Sequence, residues 1–229
     1  MRITIPIAGP DYFNENKIKG LENTPKGPLL LNIIKSRLWY KKIKPNDYTF
    51  VMLDSCLSRT FFENHLSNWL PGCKAIFLSD ISRGAAFSSL ASLSIESEYK
   101  KPFLIDLADI FFETDHMPFD GTSEKIGAMG YCFESDNEIY SYFKLNKNSD
   151  YVDYTAEKRV ISNYASAGVY GFINTATYLK AFAKCIENNE KYFYKSLLYV
   201  CPVLNGVIKN DQKVYISKVK NVLDVKKFD

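Results

Sequence analysis

Pro102-Phe103-Leu104-Ile105-Asp106-Leu107-Ala108-Asp109 is a short apolar run that turns acidic at its end. Pro102 to Leu107 has the length and residue types of a buried strand, closed by Ala108-Asp109. Reading back from it, three similar runs come into register. Ile3 to Ala8 stops at Gly9-Pro10, Tyr48 to Leu53 ends on Asp54, and Cys73 to Leu78 leads into a polar loop. Helix-length segments separate them. In Leu29 to Trp39, apolar residues at 30, 33, 34 and 38 form a helical stripe. Ser58 reads as the N-cap of a helix over Arg59 to Trp69, and Gly84 to Ser97 as a helix rich in Ala and Ser. The pattern is β-α-β-α-β-α-β. It predicts a parallel sheet with helices on both faces, with ligands beyond the carboxyl ends of the strands. Gly9 to Lys26, Asp54, Ser79 to Gly84 and Asp106 to Asp109 therefore become the residues to watch.

Beyond residue 112 the pattern changes. Gly127 to Glu134, Ile139 to Leu145 and Ala167 to Ile173 read as strands, with Ser135 to Glu138 as a hairpin connection. Thr175 to Glu187 and Tyr192 to Ile208 read as helices. Val214 to Ser217 and Val222 to Val225 read as short closing strands. No repeat, low-complexity segment or linker interrupts the chain. The expected fold is α/β: a single mixed, mostly parallel sheet flanked by helices, in one domain over 1–229.

The chain has 229 residues, 46% of them hydrophobic and 15% aromatic, which supports a packed core and excludes disorder as the main state. With 29 basic and 26 acidic residues the net charge is +3, too balanced for a dedicated nucleic-acid binder. Lys209, Lys213, Lys218, Lys220, Lys226 and Lys227 crowd the C-terminal stretch and read as a solvated tail. The cysteines are Cys56, Cys73, Cys132, Cys185 and Cys201, with no C-x-x-C pair; they read as reduced thiols of a cytoplasmic protein. The two histidines, His65 and His116, lack a metal-ligand spacing. The N-terminal residues do not read as a signal peptide, and no apolar run is long enough for a membrane span.

Three segments are candidates for chemistry. Ala8-Gly9 followed by Glu22-Asn23-Thr24-Pro25-Lys26-Gly27-Pro28 is a loop leaving a first strand and entering a helix, where backbone N–H groups and a lysine hold phosphates; the plainer alternative is a turn before a helix. Asp106 to Asp109 puts a carboxylate at the ligand edge, suited to Mg²⁺ on a nucleotide, or to a helix N-cap. Glu157-Lys158, followed by Ala167-Gly168-Val169-Tyr170-Gly171-Phe172, is a binding pair or a solvated ion pair.

Together and in this order, the segments resemble the sugar-phosphate nucleotidyltransferase family, with its Rossmann-like, GT-A-type fold. The resemblance runs over nearly the whole chain. Ala8-Gly9 and Pro25-Lys26 stand at its glycine-rich loop, Arg83-Gly84-Ala85-Ala86 at its small-residue motif, Asp109 at its metal aspartate, and Glu157-Lys158 at its sugar-phosphate motif. Ala167 to Phe172 match a family strand, and Asp224 stands for the second metal aspartate.

The resemblance implies an Mg²⁺-dependent enzyme. It would join a nucleoside triphosphate to a sugar 1-phosphate or similar phosphorylated acceptor, releasing pyrophosphate, in capsule or lipopolysaccharide synthesis. It implies that Lys26 and Asp109 are catalytic, with Asp109 and Asp224 on the metal. Ala8, Gly9, Lys17 and Lys19 would bind the nucleotide, with Gly84 and Ala85 leaving room for base or ribose. Glu157, Lys158 and Gly168 would bind the acceptor. Residues 1–112 would form the nucleotide half and 113–229 the acceptor half. Homo-oligomers are common in the family.

The first loop departs from the family pattern. Pro10 has no N–H to donate, and no arginine lies between Arg2 and Arg37. Lys17, Lys19 and Lys26 are offset by Asp11, Glu15 and Glu22. A glycosyltransferase using a nucleotide sugar, needing only a diphosphate site, and a non-catalytic relative of the fold remain as alternatives.

Overall fold

The computed structural model describes the chain except Asp11, Glu15, Asn16, Ser97, 121–124 and 225–229. Four parallel strands form its first half: β1 (Arg2–Pro6), β2 (Tyr48–Leu53), β3 (Lys74–Leu78) and β4 (Phe103–Asp106). They lie in the order β3-β2-β1-β4, with Ile3 beside Tyr48 on one flank and Leu104 on the other. Strand β5 (Ile110–Glu113) follows β4 after a sharp turn. Then come β6 (Ile126–Glu134), β7 (Tyr142–Leu145), β8 (Val152–Ala156), β9 (Tyr164–Phe172), β10 (Lys213–Lys218) and β11 (Lys220–Asp224). All but β5 and β11, which pair with each other, join one nine-stranded mixed sheet.

The long strand β9 joins the halves. Val169 to Phe172 run antiparallel to β4, and Tyr164 and Ala165 pair with β7 on that same flank; the other flank pairs with β6. The expected hairpin at Ser135 to Glu138 is therefore not one. Strands β6 and β7 do not pair; β9 separates them. Strand β8 was not expected either, and it pairs antiparallel with β7.

Alternation along the strands builds two cores. Ile3, Ile5, Ile7 and Leu104 face one side, toward α1 (Leu29–Ser36), which buries Leu29, Leu30, Ile33 and Ile34. Phe103 and Ile105 face the other, toward α3 (Ala85–Leu93), α4 (Thr175–Glu187) and α5 (Val200–Lys209). The small residues of α3 let it lie close to β1, where the Thr4 and Ser92 hydroxyls meet at 2.7 Å.

Several helix boundaries need correction, beginning with α1, which ends at Ser36 rather than Trp39. Helix α2 (Cys56–Phe61) begins earlier than expected, because Ser55 is the N-cap and Ser58 is its reciprocal partner in a capping box. The chain then continues through a wide π turn over Phe62–Leu66. The segment read as one helix from Tyr192 to Ile208 is broken: a short helix ends at Tyr192, and α5 starts at Val200 with Pro202 in its first turn. The helix expected to run to Ser97 stops at Leu93, with Ser94 as its C-cap; Ser97 itself, and the expected end of the last strand at Val225, lie outside the described residues. No helix among the described residues is long and apolar enough to cross a membrane.

Candidate active site

Strand β4 ends on Asp106, which is 1% exposed. A buried carboxylate needs a partner, and Arg37, just past α1, supplies a two-pronged one. Its Nε donates to Oδ2 at 2.8 Å and its Nη2 to Oδ1 at 2.9 Å. The guanidinium lies 4.0 Å from the centre of the Phe112 ring. Asp106 Oδ1 also accepts the Ala108 N–H at 2.9 Å. Ala108 sits at φ +52°, so the chain turns sharply just before Asp109.

The turn delivers Asp109 onto β9. The Leu107 N–H donates to the Gly168 carbonyl at 2.9 Å. Gly168 has φ +74°, and a Cβ there would lie 2.7 Å from Asp109 Oδ1. Only glycine leaves space for that carboxylate. Asp224 lies opposite Ile110 in the β5–β11 ladder, next in register to Asp109. It is buried and accepts the Tyr140 hydroxyl at 2.6 Å. Burial first, then the bond to Asp224 and the charges of Asp224 and Asp109, push the Tyr140 hydroxyl far above its ordinary range. Tyr140 therefore stays a donor at neutral pH.

Asp109 also forms one wall of a cleft of about 170 Å³ under the first loop, lined by Gly9, Tyr12, Lys19, Leu30 and Ala108 among others. Two backbone bonds shape the loop: Tyr12 N–H to Gly9 O at 3.1 Å and Lys19 N–H to Tyr12 O at 3.0 Å. A Cβ on Gly9 would meet open space, so the backbone is bare at this point of the cleft. Ala8 is buried behind it.

The lysines of the loop separate. Lys19 lines the cleft. Lys17 points outward and pairs with Glu22 at 2.9 Å. Lys26 is exposed on the tight turn between Thr24 and Gly27, outside the cleft wall. Asn32 pins that turn to α1 by donating to Gly27 O at 3.0 Å. Asp11 and Glu15, which enter the expected charge balance, lie outside the described residues. Sequence reading passed over Tyr12. Its hydroxyl is buried, has no hydrogen-bond partner among the described residues, and is held protonated by burial and then by the Glu22 charge. Nothing local in the sequence marks it except its place two residues after Pro10.

Glu157 and Lys158 follow β8 and line a second pocket of about 340 Å³. Ser141 Oγ donates to the Glu157 carboxylate. Lys158 adopts φ +46°, and its ammonium stands 5.6 Å from the ring centres of both Tyr194 and Tyr199.

Gly84 serves a different purpose from the one expected. A Cβ there would lie 2.4 Å from the Leu198 carbonyl oxygen, so the space beside it holds the backbone of residue 198 rather than a base or ribose. The Ala86 N–H donates to that carbonyl at 3.2 Å, and Leu198 N–H donates to Arg83 O at 2.9 Å. Ala85 packs, partly buried, against the α4–α5 core.

No group of three or more His, Cys, Asp or Glu comes together among the described residues. Asp109 and Asp224, neighbours in the β5–β11 register, offer hard oxygen donors. Such a pair fits Mg²⁺, which is commonly held by one or two carboxylates together with substrate phosphates.

No protein-family model and no curated protein sequence matches the chain. Solved structures do. A nucleoside-diphosphate-sugar pyrophosphorylase from Vibrio cholerae RC9 superposes with a TM-score of 0.80 at 18% identity, covering 98% of this chain and 95% of that one. A UDP-glucose pyrophosphorylase complexed with UDP-glucose gives 0.66 at 13% identity, covering 98% and 92%. An inositol-1-phosphate CTP transferase from T. maritima gives 0.64 at 17% identity, covering 97% and 86%. The chain has the fold of the sugar nucleotidyltransferases.

Proposed function

We propose that this protein is a nucleotidyltransferase that joins a nucleoside triphosphate to a phosphorylated sugar or sugar-like acceptor. One observation carries the reading. Asp109 is fixed by the Arg37–Asp106 pair at a point that borders the first-loop cleft, touches Gly168 of β9 and neighbours Asp224 in register. A carboxylate at the wall of that cleft, with a second one beside it in register, suits a reaction between two phosphates. Residues 1–112 hold the nucleotide in this reading, and 113–229 the acceptor.

In the reaction, an acceptor phosphate oxygen attacks the α-phosphorus in line. A new P–O bond forms, the bond to the bridging oxygen breaks, and its electrons leave with pyrophosphate. Little covalent help is needed, so positioning and charge neutralisation carry the catalysis. Asp109 and Asp224 would hold Mg²⁺, which when bound offsets phosphate charge. Bare backbone at Gly9 and the ammonium of Lys19 face the triphosphate, with Lys26 reaching it from the adjoining turn. Lys158 takes the acceptor phosphate and Glu157 a sugar hydroxyl. The product is an activated donor for glycan assembly, and cytoplasmic supply of capsule or lipopolysaccharide precursors is the setting we infer.

The test is pyrophosphate release from each of CTP, UTP, dTTP, GTP and ATP, paired with a panel of sugar 1-phosphates and Mg²⁺. One productive pair is expected, with Asp109→Asn lowering its rate by about 100-fold or more. Nucleoside diphosphate release from a nucleotide sugar, or an unchanged rate in Asp109→Asn, would overturn the reading.

A further inference from the structure

The pocket beside Glu157 and Lys158 carries more positive charge than a single phosphate requires. Lys158, Arg159 and Lys191 line it, and Lys195 stands 5.6 Å from the ring centre of Tyr194, another lining residue. None of the four makes an ion pair among the described residues. The acids on its wall are Glu157, which accepts from Ser141, and the exposed Glu190. Helix α5 adds the positive end of its dipole nearby, since Tyr199 caps it without a side-chain bond.

The cations fall into two groups. Lys158 lies between Tyr194 and Tyr199, on the side facing α5. Arg159 and Lys191 both stand over the ring of Tyr154, at 6.0 and 5.8 Å from its centre, and Arg159 Nη2 donates to the Tyr154 hydroxyl at 3.4 Å. A neutral sugar presents hydroxyls beyond its phosphate, and hydroxyls are well met by carboxylates, amides and backbone groups. This wall instead offers a guanidinium and an ammonium around an aromatic face, a surface for planar or tetrahedral anions.

We propose that the acceptor carries a second anionic group besides its reacting phosphate, bound by Arg159 and Lys191 across Tyr154. A carboxylate or a second phosphate meets this chemistry equally. The inference rests on the nucleotidyltransferase reading for the role of Lys158, but its test is a binding measurement that does not need turnover.

Calorimetric titration of the full chain with three probes separates the cases: glucose 1-phosphate, glucuronic acid 1-phosphate and glucose 1,6-bisphosphate. At least one of the two probes that carry a second anionic group is expected to bind about tenfold tighter than glucose 1-phosphate, the gain of one charge-assisted contact. Which of them does so identifies the group. Arg159→Ala combined with Lys191→Ala, both exposed positions, is expected to bring the ratio of Kd values close to one, with circular dichroism confirming the fold. Equal binding of all three probes overturns the proposal. So does the absence of any binding, or a double variant that weakens all three by one factor, which would be long-range attraction only. If the preference is present but no pyrophosphate appears with any nucleotide, the transferase reading fails and the acidic-ligand site stands. Pyrophosphate release without the preference reverses that outcome.

Discussion

Removing Arg37 would strand the Asp106 charge in a site where the guanidinium now packs against Phe112. Breaking one side of a buried pair in this way costs about 3–5 kcal/mol, whereas replacing both sides with apolar groups is often nearly neutral. Arg37→Ala is therefore expected to lose that much stability in urea unfolding, and Arg37→Leu with Asp106→Leu to recover most of it. The double variant still lacks the acceptor that holds the Ala108 N–H, so its pyrophosphate release should stay low although it folds. Equal stability losses in the single and double variants would show that the two residues do not act as a charge unit. Gly168 poses a separate question one strand away. An alanine there meets both a left-handed backbone and Asp109 Oδ1 at 2.7 Å. The backbone conformation alone costs about 1–2 kcal/mol. Gly168→Ala should thus fold with reduced stability, and its activity should need much more Mg²⁺ for half-saturation, because the displaced carboxylate is the one assigned to the metal. A magnesium titration unchanged from the parent would remove Asp109 from that role.

At the level of elements, the connection between the short helix ending at Tyr192 and α5 includes one very close approach, Gly84 against Leu198. Gly84 combines φ +111° with a Cβ position 2.4 Å from a carbonyl oxygen, and backbone cannot yield as a flexible side chain does. Gly84→Ala is expected to destabilise by about 3 kcal/mol or more. Hydrogen exchange should show protection lost at Ala86 and Leu198, whose N–H groups bridge the two segments. Unchanged exchange there would mean that the contact is dispensable. Sequence reading could not see this contact, since Gly84 and Leu198 meet only through the fold. The same limit explains the other misplacements. Tyr48 to Leu53 and Phe103 to Asp106 are legible because a strand buried on both faces is apolar at nearly every position. Val152 to Ala156 is not, because Asp153 faces solvent and interrupts the run. Which strands pair is a long-range property, so β6 and β7 looked like a hairpin although β9 separates them. Ser55 and Ser58 are equivalent as cap residues in sequence; only the bond from Ser58 N–H to Ser55 Oγ distinguishes them. Of the candidate site, Asp109 stood out as an acid ending an apolar strand. Tyr12, Arg159 and Lys191 carried no signal of their own.

Across the whole molecule, the fold buries many weak acids in their neutral form. Burial is the leading cause in each case. It raises the Cys73 thiol to about 11, the Cys132 and Cys185 thiols to about 12, and the Tyr215 hydroxyl to about 12. It pushes Tyr48, Tyr131, Tyr170 and Tyr178 higher still. These groups bear on stability only through the difference between folded and unfolded chains. Below pH of about 8.5 both states keep their protons, so stability should be nearly level with pH on their account. Above it the unfolded chain releases thiol protons, and near pH 10 tyrosine protons, while the folded chain retains them. The unfolded state then binds fewer protons, and stability falls by up to about 1.4 kcal/mol per pH unit for each such group. Lys218 and Lys220, raised by hydrogen bonds to Glu134 and Asp115, act in the same direction but are exposed and add little. Asp54 and Asp115, lowered by Arg59 and Lys220, act at the acid end, where their support is lost as pH falls. Urea unfolding at pH 7, 8, 9, 10 and 11 should therefore show a plateau, a shallow decline from about pH 9 and a steep loss beyond 10. Within the plateau, a thiol reagent should find one reactive cysteine, the exposed Cys56, and all five after denaturation. Stability that stays level to pH 11, or several thiols reacting in the native state, would mean that these side chains are not enclosed as the two cores require.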